Sequence, residues 1–496
     1  MINSLAYTKK DVYDSTLQYF KGDELATNVW ITKYALRDLS DNYFELSPDN
    51  MHMRLATEFA RIEKKYENPM SAHDIYELLK DFKYIVPQGS PMSGIGNPYQ
   101  IQSISNCFVI DNPHDSYGGI LFTDQQQVQI MKRRGGVGFD ISNNRPRGVV
   151  CANAARTTDG IEMFMERFSN SCREVAQGGR RGALMLSISI HHPQVLDFIK
   201  IKRDLTKVTG ANISVRISDE FMNAVKTKSL YKQQWPVESE DPEMEFMVDA
   251  NEIWDEIIKS AHSSAEPGIL FWDTAKNMTP SDAYADEGFG STSTNPCGEI
   301  ILSPGDSCRL MLVNLTSFIK NAWTKNSHFD NRKYKEIVRK AQRLMDDMID
   351  LELEQIDKII QKIKSDPEPD NVKTIEVEMW KFIKLQAERG RRTGLGITGL
   401  GDALAMLGLK YGSEDSIVQT ESWYKQLALG AYEESITLAK ERGCFPVFDL
   451  KKEENHLFLQ KIYSELQSDT LKDLKKYGRR NIALTTTAPA GSVSCL

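Results

Sequence analysis

The segment Asn295-Pro296-Cys297-Gly298-Glu299 places a thiol between an amide and a carboxylate. In an extended backbone successive side chains point to opposite faces, so Asn295, Cys297 and Glu299 are expected to point into one pocket. Pro296 and Gly298 fall on the other face, where they suit a tight, irregular tip. The trio offers a hydrogen-bonding amide, a sulfur that can be oxidised or made a radical, and a proton acceptor. The segment therefore predicts a pocket that combines thiol and carboxylate chemistry.

Two further cysteines, Cys107 and Cys308, each stand at the start of a strand-like run. In a closed parallel barrel, distant strands bring their ends together around one pocket. Three thiols that meet there suit two-electron reduction by a cysteine pair, with a third sulfur in a different role. An intracellular cysteine is more often a small buried hydrophobe. We keep that interpretation for Cys151, Cys172 and Cys444.

Several glycine-rich turns form a second group of candidates. Residues 133–138 and 177–182 combine glycines with arginines, which suits contact with a phosphate or nucleotide. Residues 488–492 follow a strand candidate, and their backbone N–H groups suit an anion-binding nest. Ordinary strand-to-helix turns have the same composition. Residues 394–399 match the dinucleotide-binding pattern but follow a helical, basic stretch instead of a strand, so we interpret them as packing glycines.

The elements that must position these residues change in type along the chain. Residues 1 to about 85 predict amphipathic helices over 19–39, 51–66 and 72–82. The strand candidates that follow are 106–110, 137–141, 183–190, 212–217, 268–272, 308–314 and 481–487. Helical candidates between them are 160–175, 219–226, 250–263 and 416–442. This alternation predicts an α/β protein, with largely parallel strands in a barrel or sheet and helices outside.

The longest helical region, residues 331–389, is rich in charges and has a predicted break at 365–370. We expect two solvated packing helices joined by a loop, because a partner-binding coiled coil would need cleaner heptads.

Length and composition narrow the class of protein. The 496 residues suffice for one large α/β barrel and a smaller region. The net charge of -8 argues against a protein that coats nucleic acid or a membrane surface. No apolar run is long enough for a membrane span and no signal peptide is recognisable, so a cytoplasmic location is expected. Seven scattered cysteines without a Cys-x-x-Cys pair predict neither a disulfide framework nor a zinc site.

At these motifs the sequence resembles the catalytic (large) subunit of ribonucleotide reductase, from about residue 20 to the last residue. Residues 295–299 match that family's Asn-x-Cys-x-Glu active-site segment. Residues 105–110 and 306–310 match the segments that carry its reducing cysteine pair, and 89–91 resemble its substrate-binding turn. The motifs also follow one another in the family's order.

The resemblance assigns roles to individual residues. It implies that Cys297 becomes a thiyl radical that takes the 3′-hydrogen of the ribose, while Glu299 accepts the proton of the 3′-hydroxyl and Asn295 holds a ribose hydroxyl. Loss of the 2′-hydroxyl as water is followed by reduction by Cys107 and Cys308, which end as a disulfide. Thiol exchange with a thioredoxin- or glutaredoxin-like protein would reopen that disulfide.

The resemblance also implies sites for substrate and effector. The implied substrate-binding residues are Ser90, Ser105, Asn106, Pro489, Ala490, Gly491, Ser492 and Val493. The implied effector-binding residues are Asp115, Ser116 and Arg145, with Gln177 and Arg181 in the loop that relays the effector's identity. The expected ligands are a ribonucleoside di- or triphosphate as substrate and deoxynucleoside triphosphates or ATP as effectors. Neither nucleic acid nor membrane is an expected partner.

The implied fold is the ten-stranded α/β barrel of this family over residues 101–496, with the Cys297 segment as a loop at its centre. Residues 1–100 would form a helical cap. The form of residues 306–310 and the absence of an ATP-binding domain before the cap are more similar to the adenosylcobalamin-dependent class. The alternative is that this chain holds no cofactor and that a metal-containing small subunit supplies the radical. Glu299 and Cys308 disfavour the glycyl-radical class.

The sequence stops at Ser494-Cys495-Leu496, directly after the match to the phosphate-binding loop. The family continues with further strands, so we expect a barrel without its last strands and a chain that is inactive alone. An incomplete gene record, one half of a split enzyme and the flank of an intein all remain open. The competing hypothesis is a nucleotide-binding half that acts only with a complementary chain. A homodimer is the other expected assembly.

Overall fold

Helices and short strands alternate along the chain. The computed structural model describes residues 6–175 and 182–496. The α-helices are α1 Lys9–Tyr19, α2 Glu24–Lys33, α3 Pro48–Glu63, α4 Ala72–Leu79, α5 Ser90–Gly94, α6 Tyr117–Met131, α7 Ile161–Glu174, α8 Val195–Lys200, α9 Asp219–Thr227, α10 Ala250–Ser264, α11 Trp272–Met278, α12 Asn331–Ser365, α13 Asp370–Gly390, α14 Leu400–Met406, α15 Glu414–Arg442, α16 Leu450–Glu453, α17 Leu457–Ser464 and α18 Ser468–Tyr477.

The strands are β1 Ile85–Pro87, β2 Cys107–Val109, β3 Gly136–Asp140, β4 Leu184–Ser189, β5 Asn212–Ile217, β6 Leu230–Trp235, β7 Met244–Asp249, β8 Gly268–Phe271, β9 Ser293–Thr294, β10 Ile301–Leu302, β11 Ser307–Cys308, β12 Leu310–Asn314, β13 Ile319–Lys320, β14 His328–Phe329 and β15 Gly394–Thr398. The mixture of helices and parallel strands confirms the predicted α/β class.

The chain divides into two compact units. Unit 1 consists of the residues up to Asn106, Cys308–Pro367 and Trp380–Leu496. Unit 2 consists of Cys107–Ser307 and Glu368–Met379. Each is described by itself below.

Unit 1 is built on a three-stranded sheet and the long helix α12. Strand β12 pairs antiparallel with β1 and parallel with β15, and Thr485 adds one parallel bridge to Leu395 of β15. Helix α12 buries an apolar stripe at three- and four-residue spacing, which fixes the face that packs into the core. This stripe consists of Ile337, Ala341, Leu344, Met348 and Leu351.

A buried ionic cluster in unit 1 joins α12 to segments that follow it in sequence. Asp346 accepts hydrogen bonds from Arg391 (2.9 Å), Arg442 (3.1 Å) and Arg480 (3.2 Å). Burial alone would raise the pKa of Asp346, but the three guanidinium groups outweigh it and hold that pKa below its usual range. The carboxylate is therefore ionised and paired inside the core.

Unit 2 is built on parallel strands in the order β2-β3-β4-β5-β8. Every residue of β2, β3 and β4 is buried, as expected for a parallel sheet covered on both faces. Helix α6 packs on β3, and α7 and α8 pack on β4. Strands β6 and β7 form a separate antiparallel hairpin.

Most of the predicted elements are found within one to three residues of their expected bounds. The break predicted at 365–370 is confirmed, since α12 ends at Ser365 and α13 begins at Asp370. The helix predicted over 19–39 is wrong in extent. Helix α1 ends at Tyr19, and positive φ angles at Lys21 and Gly22 interrupt the helical conformation. Asp23 then caps the N-terminus of α2.

Two stretches near the C-terminus also differ from expectation. Residues 481–487 do not form the predicted strand beyond the single bridge at Thr485. Residues 394–398 form strand β15. The interpretation of its glycines as packing residues is confirmed, because a Cβ atom at Gly394 would overlap the Cys308 sulfur and one at Gly396 would overlap the Thr486 carbonyl.

Within the part of the chain that the structure describes, no helix is long and apolar enough to span a membrane.

Candidate active site

In unit 2 a short hairpin carries the Asn-x-Cys-x-Glu segment across the parallel sheet. Strands β9 and β10 pair antiparallel, with Thr294 opposite Ile301. A Cβ atom on Gly138 of β3 would overlap the Thr294 carbonyl, so this close approach requires glycine. The Ser293 and Ser187 hydroxyls lie 3.0 Å apart. The sheet thus fixes the base of the hairpin.

The tip of the hairpin is a turn. The Gly298 amide donates to the Asn295 carbonyl (3.1 Å), and Gly298 has a φ of 77°. The expectation of an extended backbone over 295–299 is therefore wrong. Pro296 presets the φ angle of a turn and Gly298 accepts a left-handed one, so the chain reverses where alternation would have continued.

The turn brings Asn295 and Glu299 together beside Cys107. The Asn295 side-chain amide donates to the Cys107 sulfur (3.1 Å) and to Glu299 Oε2 (2.5 Å). The Cys107 thiol lies 3.8 Å from Glu299 Oε1. Asn295 is fully buried and Cys107 is 6% exposed. An amide, a thiol and a carboxylate thus form one polar cluster in unit 2.

Glu299 is suited to proton transfer. Burial raises the pKa of Glu299 above the usual range of a glutamate, and the hydrogen bonds from Asn295 and Cys107 only partly offset that shift. A carboxylate whose pKa lies nearer to neutrality is a more effective general base.

Cys297 stands apart from this cluster. Its side chain is exposed at the tip of the turn. The surrounding protein, together with the negative charge of Glu299, raises the pKa of the Cys297 thiol. The sulfur therefore keeps its hydrogen near neutral pH while it remains accessible from outside.

In unit 1 a chain of hydrogen bonds joins five of the predicted site residues. The Ser90 amide donates to Asn106 Oδ1 (2.8 Å), and the Asn106 amide donates to the Cys308 carbonyl (3.0 Å). The Asn106 side chain donates to the Gln88 carbonyl (3.0 Å), and the Gln88 side chain donates to the Ala490 carbonyl (3.3 Å). The Gln88 side chain also donates to the carbonyl of Pro489.

The remaining residues of the predicted phosphate loop form a short 3-10 helix. It runs over Gly491–Cys495, and Gly491 has a φ of 57°. The Ser492 hydroxyl is hydrogen bonded to Tyr34, and the Val493 amide donates to the Ala490 carbonyl (3.1 Å).

Ser105 belongs to a buried network in unit 1 around Glu352. Glu352 accepts hydrogen bonds from the Ser105 hydroxyl (2.9 Å), the Ile104 amide (2.7 Å) and the Ser103 hydroxyl. Arg309 donates to the Ser105 hydroxyl (3.1 Å). Burial raises the pKa of Glu352 despite these partners. Ser105 is therefore held rigidly by its own unit.

The predicted effector residues lie together in unit 2. Asp115 accepts hydrogen bonds from the Arg145 amide (2.9 Å) and from Arg145 Nε (2.7 Å). Ser116 caps α6 by accepting from the Gly119 amide (3.0 Å). The Arg145 guanidinium lies 5.4 Å from the ring centroid of Trp235. The Arg145 guanidinium near the N-terminus of α6 is suited to binding an anionic ligand group, and the Asp115 carboxylate is suited to accepting a hydrogen bond from a ligand hydroxyl. Gln177 and Arg181 lie outside the described residues.

The sequence reasoning missed several residues that contact these groups. Gln88 directly precedes the Gly89-Ser90 turn, and Glu352 follows the four-residue spacing of the buried face of α12. Gln88 and Glu352 could have been identified as candidates from these positions in the sequence. No pattern in the sequence pointed to Tyr34 or Trp235.

The comparisons with known proteins agree with the motifs. The family model described as "Ribonucleotide reductase, barrel domain" matches residues 105–496. A vitamin B12-dependent ribonucleoside-diphosphate reductase of Mycobacterium tuberculosis is 28% identical over 478 residues, which cover 95% of this chain and 60% of the relative. A protein of the same name from Thermoplasma acidophilum is 29% identical over 424 residues, covering 83% of this chain and 46% of the relative.

A ribonucleoside-diphosphate reductase large subunit of Variola virus is 23% identical over 507 aligned positions, covering 92% of this chain and 61% of the relative. This chain thus spans about 60% of the length of the M. tuberculosis and Variola relatives and 46% of the T. acidophilum one. Because the family model matches most of the sequence, the chain belongs to the ribonucleotide reductase barrel-domain family.

Proposed function

We propose that this chain reduces ribonucleotides to deoxyribonucleotides by thiyl-radical chemistry. The observation that carries the proposal is the cluster in which Asn295 donates to both Cys107 and Glu299. Such a cluster places a base and a reducing thiol around one amide. Family membership and the names of the relatives support the same reaction.

In the proposed reaction the Cys297 sulfur takes the 3′-hydrogen of the ribose. The exposed position of this thiol fits a radical source that approaches from outside the turn. The names of the M. tuberculosis and T. acidophilum relatives support adenosylcobalamin as that source. When bound, it would supply the radical that removes the hydrogen atom from the Cys297 thiol. The alternative source is a metal-containing small subunit.

Glu299 would accept the proton of the 3′-hydroxyl while Asn295 holds a ribose hydroxyl in place. The 2′-hydroxyl would leave as water. Cys107 and Cys308 would together supply two electrons and two protons, one proton to the leaving water and one to C2′, and become a disulfide. The 3′-hydrogen would return from Cys297 and the proton of the 3′-hydroxyl from Glu299. A thioredoxin- or glutaredoxin-like dithiol would then reduce the disulfide.

The substrate would be held by the hydrogen-bonded residues of unit 1. Ser90, Asn106 and the loop Pro489–Val493 would bind the ribose and its di- or triphosphate, with Ser105 as part of their support. Asp115, Ser116 and Arg145 would bind a deoxynucleoside triphosphate or ATP as effector, with Gln177 and Arg181 as relay residues. We further infer the ten-stranded barrel of the family over 101–496, with 1–100 as its helical cap.

The experiment is an assay of deoxynucleotide formation by the expressed chain. The mixture contains ribonucleoside di- or triphosphates, a deoxynucleoside triphosphate and a dithiol, with or without adenosylcobalamin. We expect the wild type to form deoxynucleotide only when adenosylcobalamin is present, and Cys297→Ser to form none. Product formation that is equal in Cys297→Ser would contradict the proposal. Cys444→Ser is the matched control, because Cys444 has no proposed role and, contrary to the buried position expected from the sequence, is exposed in unit 1.

A second candidate is a nucleotide-binding chain that turns over only with a complementary polypeptide. The chain covers 60% of the M. tuberculosis relative. Effector binding by the chain alone, with turnover only after the remaining part of such a relative is supplied as a second polypeptide, would identify this case. Turnover by the chain alone would exclude it.

A further inference from the structure

Asn212 contacts the tip of the hairpin that carries Cys297. It is the first residue of β5, and its side-chain Nδ2 donates to the Pro296 carbonyl at 2.7 Å. Both residues belong to unit 2. None of the roles proposed above uses Asn212.

This hydrogen bond holds the peptide group between Pro296 and Cys297, whose orientation affects the direction of the Cys297 side chain. Residues 295–298 form a β-turn closed by the bond from the Gly298 amide to the Asn295 carbonyl (3.1 Å). The peptide that joins Pro296 to Cys297 is the central peptide of that turn. Turn types I and II differ by a flip of this central peptide, which also changes the conformation of the third residue.

The backbone of Cys297 agrees with the orientation that Asn212 holds. Cys297 is absent from the non-glycine residues with positive φ within the described part of the chain. A flipped central peptide would require a φ near +80° at Cys297, which is strained for a residue with a Cβ atom. The Asn212 bond and the steric preference therefore hold the peptide in the same direction.

Other contacts between sheet and hairpin lie at its base, or at Asn295 and Glu299, which contact Cys107 of β2. Ser187 contacts Ser293, Gly138 contacts the Thr294 carbonyl, and Arg216 donates to the Thr292 carbonyl (3.2 Å). They fix the strands of the hairpin and leave the orientation of the tip peptide undetermined. Asn212 supplies that restraint directly from β5.

We propose that Asn212 is a positioning residue that sets the direction of the Cys297 thiol by holding the 296–297 peptide. Its importance for turnover rests on the proposed function. The effect of Asn212 on the direction of the thiol does not, because it rests on the turn and on the Asn212 hydrogen bond and can be measured without turnover.

The test compares Asn212→Ala and Asn212→Leu with the wild type. Leucine has nearly the shape of asparagine, but its side chain is uncharged and cannot donate to a carbonyl. Asn223→Ala is the matched control, because Asn223 is an exposed asparagine on α9 of the same unit. The first readout is the rate at which iodoacetamide alkylates Cys297, followed by peptide mass spectrometry. Alkylation of the exposed Cys444 in unit 1 is measured in the same sample as the internal reference.

Burial by the surrounding protein and, second, the charge of Glu299 raise the pKa of the Cys297 thiol. Release of the tip should lessen both effects, so the thiol ionises more readily and reacts faster. We expect the alkylation rate of Cys297 to rise at least about threefold in both Asn212 variants, with Cys444 unchanged. A rise below about threefold in folded Asn212→Leu would overturn the proposal. Since this readout needs no turnover, it decides the inference even if the proposed reaction fails.

The second readout is steady-state kinetics of deoxynucleotide formation. A misdirected thiol should lower kcat on the order of 10- to 100-fold while KM for the ribonucleotide stays within about twofold. A purely structural role would instead lower thermal stability and leave kcat per folded molecule unchanged, and that result would overturn the proposal. Asn223→Ala should match the wild type in both readouts.

Discussion

The side-chain amide of Asn295 donates a hydrogen bond of 2.5 Å to the carboxylate of Glu299, four residues further along the chain. The contact exists because the turn at 295–298 folds the chain back on itself. It also sets two effects against each other, since burial raises the pKa of Glu299 and the Asn295 amide lowers it. Burial has the larger effect, which leaves a carboxylate with a raised pKa next to a thiol.

Asn295→Ala should move the acid limb of the pH profile upward. Glu299 acts as a base only when ionised, so activity increases as the pH rises through its pKa. Loss of the stabilising amide raises that pKa further, and the midpoint of the acid limb of kcat/KM should shift to higher pH. Glu299→Gln should abolish turnover. An unchanged acid limb in Asn295→Ala would show that Glu299 is not the titrating base.

Gly138→Ala should displace the hairpin that carries Cys297. A Cβ atom at residue 138 would overlap the Thr294 carbonyl, and neither backbone can yield easily. We expect a loss of about 1–3 kcal/mol in the free energy of unfolding and a strong loss of turnover. Gly401→Ala in α14 is the control, because a Cβ atom there meets nothing within 4 Å. Urea denaturation and the deoxynucleotide assay measure both effects, and wild-type behaviour of Gly138→Ala would contradict the close approach.

Asp115→Asn should weaken effector binding. The substitution removes the charge that pairs with Arg145 and replaces one of the two acceptor oxygens with an NH2 donor. We expect the Kd for a deoxynucleoside triphosphate, measured by calorimetry, to increase at least about tenfold, which corresponds to about 1.4 kcal/mol. Asp241→Asn, an exposed aspartate of unit 2, should leave the Kd unchanged. An unchanged Kd in Asp115→Asn would remove Asp115 from the proposed effector site.

Asp346→Asn should destabilise unit 1. The change leaves Arg391, Arg442 and Arg480 in the core without the carboxylate that they share. Breaking a buried ion pair costs about 3–5 kcal/mol, and urea denaturation should reveal a loss of that order. Asp402→Asn, at an exposed position in α14, should change stability by less than about 0.5 kcal/mol.

The pH dependence of this loss follows from the lowered pKa of Asp346. A carboxyl group whose pKa is lower in the folded than in the unfolded state stabilises the folded protein at pH values above its unfolded-state pKa. This stabilisation is lost as the pH falls through its folded-state pKa. The difference between wild type and Asp346→Asn should therefore persist from neutral pH down to about pH 4 and shrink below it. A difference that is the same at pH 3 and pH 7 would contradict the ionised state of Asp346.

The sequence was sufficient to predict the elements with a clear hydrophobic period. Strand β5 begins and ends where its run of β-branched residues predicted, and the break between α12 and α13 follows the proline-rich segment 365–370. Residues 481–487 were mispredicted because a β-branched, apolar run does not reveal whether a partner strand continues beside it. Thr485 forms a single bridge to Leu395 of β15, and Leu484 and Thr486 exchange backbone hydrogen bonds with the same residue.

Within the candidate site the residue types were predictable, whereas their contacts were not. The Asn-x-Cys-x-Glu spacing identified the segment, but the alternation of an extended strand gave the wrong geometry for Cys297. The turn depends on Pro296 and Gly298 together with the carbonyl contact from Asn212. Asn212 lies 84 residues before Pro296, and a single sequence carries no signal for a contact of that separation.

The most direct test of the central claim is a comparison of substrates with hydrogen and with deuterium at the 3′ carbon of the ribose. Single-turnover formation of deoxynucleotide is measured with the wild type and with Cys297→Ser. If the Cys297 sulfur takes the 3′-hydrogen, the deuterated substrate reacts more slowly, the deuterium is found again at the 3′ carbon of the product, and Cys297→Ser forms no product. Equal rates for both substrates, together with product formation by Cys297→Ser, would contradict the thiyl role of Cys297.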